Sequence, residues 1–312
     1  MRAVVVRAAG TDPTYGDFAE PEPAPGEQVF SLVGAGLHQI VRSLAAGRHY
    51  GSTGSYPQVP GVDAVARDAD GRLVYTGFVT PPWGTMAERL AARLGVPVPE
   101  GADPLAVAAG MNPGMSGWLP LRARAAEGAL GTVLVLGATG MAGRIAVQSA
   151  LMLGAERVVA VGRDVSALAA LASDVVATVP LGEGVEDRLA AALSPAPSIV
   201  LDYLWGPVAE TAFAALQRQG LDADTADITY TQIGGLAGPT AALPASLLRS
   251  RRLRIVGNGA GSTSTEQIVA QLPSFLELIA DGSVRVPYRA FRLEDAAAAW
   301  AYRGPGRAVL VP

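Results

Sequence analysis

The sequence predicts an α/β protein of two domains, one built on a doubly wound parallel sheet and the other rich in short strands. Three observations predict it. Residues 132–153 run as an apolar strand, a glycine turn and an apolar-periodic helix. From about residue 113 onward, strand-like segments alternate with Ala- and Leu-rich helical ones, the texture of a parallel sheet. Residues 1–110 instead hold short β-rich segments separated by turns.

In chain order, strands are expected at 2–7 and 28–36, a short helix at 37–46, and further strands at 73–77 and 86–92. The stretch 47–61 collects Gly, Ser, Tyr and Pro without periodicity and reads as a loop, a place where sites are often carried. The second domain is expected to place strands at 133–136, 157–161, 175–179, 198–201, 226–230 and 254–256. Helices at 145–153, 166–171, 185–193, 207–219, 243–249 and 265–281 separate or follow them. Gly282 and Pro287 bracket a break, after which 288–291, 293–303 and 308–311 read as strand, helix and strand returning to the first domain. The expected division is therefore 1–112 with 284–312, and 113–283.

Composition narrows the function classes. At 312 residues and 50% hydrophobic, the chain can bury a large core. No stretch approaches the roughly twenty apolar residues of a membrane span, and a charge at once interrupts the apolar N-terminus, so a soluble cytoplasmic protein is expected. Net charge is −4 with no basic block, which argues against nucleic acid as a partner. The absence of cysteine excludes disulfides and thiolate zinc sites, and His38 and His49 are too few for a three-histidine metal site. Lysine is absent too: all 24 basic residues are arginine, which excludes a lysine Schiff base.

The glycine turn carries the most chemistry. Gly137, Gly140 and Gly143 follow the strand and open the helix, with Met141 and Ala142 between the last two. Backbone N–H groups and the positive end of the helix dipole then converge where a dinucleotide pyrophosphate fits. The next strand ends in Gly162-Arg163-Asp164. An NAD-preferring site places an acid at that tip for the ribose 2′-hydroxyl. Here Gly162 and Arg163 occupy it, and a guanidinium suits a phosphate, so the predicted cofactor is NADP(H). Asp164 is expected to cap the following helix. Because strand ends face the ligand crevice in such sheets, Tyr203-Leu204-Trp205, Ile233-Gly234-Gly235 and Asn258-Gly-Ala-Gly261 are further candidate contacts, Trp205 with a core role equally open.

Six segments together resemble the medium-chain dehydrogenase/reductase superfamily, in its zinc-free quinone oxidoreductase-like branch. They are Gly47-Arg-His-Tyr50, Val59-Pro-Gly-Val-Asp63, Gly84-Thr-Met-Ala-Glu88, Asn112-Pro-Gly-Met-Ser-Gly-Trp118, Gly137-Ala-Thr-Gly-Met-Ala-Gly143 and Leu253-Arg-Ile-Val-Gly257. The resemblance implies a GroES-like substrate domain, a Rossmann-like cofactor domain, and homodimers paired through the strand around 252–257. It also implies that Ser116 contacts the nicotinamide ribose and that Tyr50 lies in the substrate pocket; Asn112, one helical turn before Ser116, shares its face if a helix already runs there. Where this branch commonly carries Asn and Asp, the chain has His38 and Val41, and the usual 2′-phosphate lysine is missing.

Without a metal, hydride transfer favours acceptors that spread the incoming charge onto oxygen, such as quinones and α,β-unsaturated carbonyl compounds. The expected function is an NADPH-dependent, zinc-independent reductase of such small molecules. The alternatives are an enoyl-thioester reductase and a non-catalytic NADPH-binding sensor. Candidate proton donors are Tyr50, whose phenol donates at neutral pH, His49, which titrates near neutrality when unperturbed, and His38 at the helix start.

Overall fold

The computed structural model describes residues 1–218, 220 and 225–312. Within them the chain divides into two units, Met1–Pro113 with Leu272–Pro312, and Gly114–Gln271.

The first unit starts with an antiparallel hairpin of β1 (Arg2–Val5) and β2 (Thr14–Asp17). There follow β3 (Gln28–Gly36), α1 (Gln39–Ala45), β4 (Asp63–Arg67), β5 (Leu73–Gly77), β6 (Arg89–Ala92) and β7 (Val96–Pro97). β2, β4 and β7 are not among the expected strands, because they are short and their alternation is interrupted by charge or proline. The expected strand at 86–92 begins only at Arg89, since Met86 and Thr85 pair with the turn at Pro60 and Gly61 instead. Core residues from β1, β3, β4 and β6, such as Val4, Leu32, Ala64 and Leu90, interlock in one cluster.

A 24-residue helix, α2 (Pro104–Glu127), follows, and it departs most from expectation. Pro113 and Pro120 argue against an unbroken helix, and Pro113 disfavours helical geometry at Asn112. The helix runs through both. Pro120 has no N–H for the carbonyl of Ser116, and the side-chain amide of Asn258 takes that carbonyl at 2.7 Å instead.

The second unit holds β8 (Thr132–Leu136), α3 (Met141–Met152), β9 (Arg157–Gly162), α4 (Val165–Ala169), β10 (Val176–Pro180) and α5 (Val185–Ala192). It continues with β11 (Ile199–Asp202), α6 (Gly206–Leu216), β12 (Asp227–Gln232), α7 (Ala245–Ser250) and β13 (Arg252–Gly257). All six strands are parallel, in the order β10-β9-β8-β11-β12-β13. The central strand β8 is buried along its whole length, which is why it reads as an uninterrupted apolar run. Helices cover both faces: Leu121 and Ala146 pack with one side of the sheet, Phe213 and Leu247 with the other. The order reverses beside β8, and ligands bind at such a switch point. The helix expected over 207–219 ends at Leu216, and Gln219 lies outside the described residues.

α8 (Thr265–Ala280) joins the second unit to the first. The units change inside this helix, at Gln271–Leu272, rather than at 283. Ile279 and Val286 pack closely on Gly110 of α2, which draws the second half of α8 into the first unit. β14 (Tyr288–Arg292), a single 3₁₀ turn over Leu293–Asp295, α9 (Ala296–Ala301) and β15 (Arg307–Val311) complete the chain. They extend the first unit's sheet to the order β14-β15-β3-β4-β5-β7, with β6 also on β3. No helix among the described residues is long and apolar enough to cross a membrane.

Candidate active site

The turn between β8 and α3 is held tightly. The N–H groups of Gly137 and Ala138 both donate to the carbonyl of Val161 at 2.9 Å, drawing the turn onto the end of β9. Gly137 has φ +95°, a conformation that favours glycine. A Cβ on Gly143 would stand 2.2 Å from the carbonyl oxygen of Gly137, so this glycine lets helix and strand approach. A Cβ on Gly140 would meet only the Gly137 oxygen, at 3.5 Å, and would otherwise project into open space. The first N–H groups of α3, at Met141, Ala142 and Gly143, have no acceptor within the helix. The result is a backbone cradle with a clear approach, and a pyrophosphate fits it. α3 also starts four residues earlier than the apolar periodicity suggests, because Gly140 serves as its N-cap.

At the tip of β9, a Cβ on Gly162 would collide with the side chain of Thr139 at 2.6 Å, so turn and tip are in contact. Arg163 is exposed and forms no ion pair among the described residues. Asp164 caps α4 as expected: one oxygen accepts from the Ala167 N–H at 3.0 Å and from the Ser166 hydroxyl at 2.7 Å. Those bonds hold its pKa below the ordinary value, with a smaller contribution from the Arg144 charge.

The remaining cofactor candidates of this unit gather at the carboxyl ends of β11, β12 and β13. The Ser116 hydroxyl lies 3.4 Å from that of Tyr203, and Asn258 bridges Ser116 and Thr263. A Cβ on Gly137 would touch Tyr203 and Leu204 at 3.3 Å, and one on Gly234 would meet the Tyr203 oxygen at 2.6 Å. Ile233 and Gly234 both donate N–H to the carbonyl of Asp202. Asn112 lies one helical turn before Ser116 on α2, hence on the same helix face. Trp205 takes the core role: its ring meets Phe213 and Tyr230 edge-on at 5.9 and 6.2 Å. It also borders an open pocket of about 400 Å³ with Gln232, Gly235, Pro239 and Val256.

Sequence reasoning missed Asp202, the residue that organises this edge. It is fully buried at the end of β11, accepting from the N–H groups of Leu204 and Trp205 at 2.8 and 2.9 Å and from the Tyr230 hydroxyl at 2.6 Å. The grip holds Trp205 at φ +56°, strained for a non-glycine residue. The only signal was an acid closing an otherwise apolar strand.

The three proton-donor candidates lie in the first unit: His38 precedes α1, whereas His49 and Tyr50 follow it side by side. Tyr50 is 75% exposed, its ring 4.1 Å from that of His49. His49 Nδ1 accepts the Gly51 N–H at 3.0 Å, and burial lowers its pKa, so the neutral form prevails near pH 7. His38 is buried and makes no side-chain cap bond. Its Nε2 instead lies 3.0 Å from Asp63, whose other oxygen accepts the Tyr75 hydroxyl at 2.8 Å. Among the described residues no three His, Asp or Glu side chains are placed to hold a metal ion.

No protein-family model matches the chain. It is 28% identical to the "Probable NADPH-dependent quinone reductase tdiC" of Emericella nidulans, over 86% of this chain and 87% of that one. The quinone oxidoreductase of Thermus thermophilus, whose crystal structures include an NADPH complex, is 26% identical and superposes over 100% of both chains with a TM-score of 0.80. These similarities support the resemblance to the quinone oxidoreductase-like branch of the medium-chain dehydrogenase/reductase superfamily. An alcohol dehydrogenase superfamily protein of Novosphingobium aromaticivorans shares the fold at 21% identity, covering 100% of this chain and 99% of that one, with a TM-score of 0.82. The strand-rich first unit matches a GroES-like fold and the parallel-sheet second unit a Rossmann-like one.

Proposed function

We propose that the protein is an NADPH-dependent oxidoreductase that delivers hydride, without a metal ion, to a quinone or to the conjugated double bond of an α,β-unsaturated carbonyl compound. The observation that carries the reading is the glycine cradle beside a strand tip whose acid is engaged and whose arginine is free of ion pairs among the described residues. Gly137 to Gly143 would hold the pyrophosphate, and Arg163 would hold the 2′-phosphate. Ser116, Tyr203, Leu204, Gly234 and Asn258 would line the nicotinamide half. When bound, the cofactor supplies the hydride, and the protein supplies orientation and a proton or hydrogen bond.

Tyr50 is the donor we favour, because its hydroxyl is exposed while the His49 beside it is held neutral. Tyr50→Phe should slow reduction roughly a hundredfold with little change in NADPH affinity. An unchanged rate would remove Tyr50 from the chemistry.

The wider test follows NADPH and NADH oxidation over quinones, enones, enals and enoyl thioesters, with and without EDTA or phenanthroline. Turnover should be specific to NADPH, fastest with quinones or conjugated carbonyls, and unaffected by chelation. Arg163→Ala should weaken NADPH roughly tenfold or more and leave NADH nearly unchanged. Equal loss for both would sink the assignment of Arg163. NADPH binding without turnover on any acceptor would point to a sensor instead. The homodimer is proposed through β13, the last strand of its sheet, where Val256 is exposed.

A further inference from the structure

We propose that Arg144, in the first turn of α3, is a second specificity-determining cation that clamps the cofactor's 2′-phosphate together with Arg163. The inference deepens the proposed function and rests on its cofactor reading.

Cations are disfavoured at the positive end of a helix, and acids are the usual residues there. The first turn of α3 contains no acid, and Arg144 stands in it directly after the cradle. An arginine in that position needs an anion nearby to be favourable. Among the described residues no carboxylate forms an ion pair with it. The Asp164 charge is near enough to be felt only weakly: it forms no ion pair with Arg144, and one of its oxygens is bound by Ala167 and Ser166 across the top of α4.

The Arg144 side chain is also aimed. Its Nε donates to the carbonyl of Thr139 at 3.0 Å, which lays the guanidinium against the middle of the turn. Thr139 in turn fills the space above Gly162, at the tip of β9. The head of Arg144 is thus anchored through Nε at the junction of turn and tip, and its two Nη groups donate to no acceptor among the described residues. Arg163 extends from the same tip, exposed. In a sheet of this topology the adenosine ribose sits over that junction, its 2′-oxygen toward the tip. Two guanidinium groups flanking one dianion match its charge, and an arginine fork suits phosphate oxygens.

The test measures binding by calorimetry on the full chain, so it does not depend on turnover. The probes are 2′,5′-ADP and 5′-AMP, which differ only in the 2′-phosphate. Wild type should prefer 2′,5′-ADP. Arg144→Gln should reduce that preference about ten- to a hundred-fold while 5′-AMP binds as before. Arg144→Lys should restore part of it, and adding Arg163→Ala to Arg144→Gln should abolish it.

An Arg144→Gln protein with the wild-type preference overturns the inference and leaves the cofactor reading standing on Arg163. Equal loss of both probes also overturns it, because Arg144 would then only brace the turn. A wild type indifferent to the 2′-phosphate overturns the cofactor reading and the clamp together.

Discussion

Asp202→Ala is expected to destabilise the protein by roughly 3–5 kcal/mol, because three donors lose one buried acceptor and each orphaned group costs about 1–3 kcal/mol. In a chain of this size that lowers the melting temperature by roughly 10 °C. Asp202→Asn should be much milder, since its oxygen can still accept from Leu204 and Trp205 while its amide faces Tyr230. The pair of variants also isolates a pH effect. Burial raises the Asp202 pKa, against the opposing pull of the bonds from Trp205, Tyr230 and Leu204. A folded pKa above the unfolded one means that this carboxyl's contribution is complete below the unfolded value. It is lost as pH climbs through the folded value. Wild type should therefore lose stability relative to Asp202→Asn over that interval. Thermal melts from about pH 3 to 8 check this, and parallel curves for the two proteins would refute it.

Gly140→Val is expected to separate cofactor binding from folding. Gly140 sits at φ −76°, which valine tolerates, and its Cβ position meets only one atom, at 3.5 Å. Stability should change by no more than about 0.5–1 kcal/mol. The added methyl groups occupy the approach to the free N–H groups of α3. Loss of two or three charge-assisted hydrogen bonds at about 1.5–3 kcal/mol each should weaken NADPH more than about a hundredfold. Titration of the folded variant decides the matter; wild-type affinity would mean that the pyrophosphate lies elsewhere. Gly143→Ala is the contrasting case, where a Cβ at 2.2 Å from backbone disturbs the turn itself.

The central strand β8 and its glycine turn were legible because burial on both faces and a close chain approach each leave a local mark on sequence. The cap at Asp164 was legible for the same reason: its partners lie within three residues. α2 was not, because its prolines and glycines carry helix-breaking propensities that tertiary contacts override; Asn258, far along the chain, supplies the donor that Pro120 lacks. Asp202 was invisible for the converse reason, since its hydroxyl partner lies on another strand. His38 stands out in the sequence only as a candidate proton donor at the helix start, yet its partner Asp63 comes from β4. Local chemistry could name the cradle, but not the long-range bonds that hold its rim.

The engagement of Asp164 has a consequence for any attempt to convert the enzyme to the unphosphorylated cofactor. Deleting arginines would leave the ribose diol without a dedicated acceptor, because one oxygen of the nearby Asp164 carboxylate is committed to α4. Position 162 cannot take a replacement acid while Thr139 fills the space above it. Redesign would have to begin at position 163, by exchanging the cation for an acid.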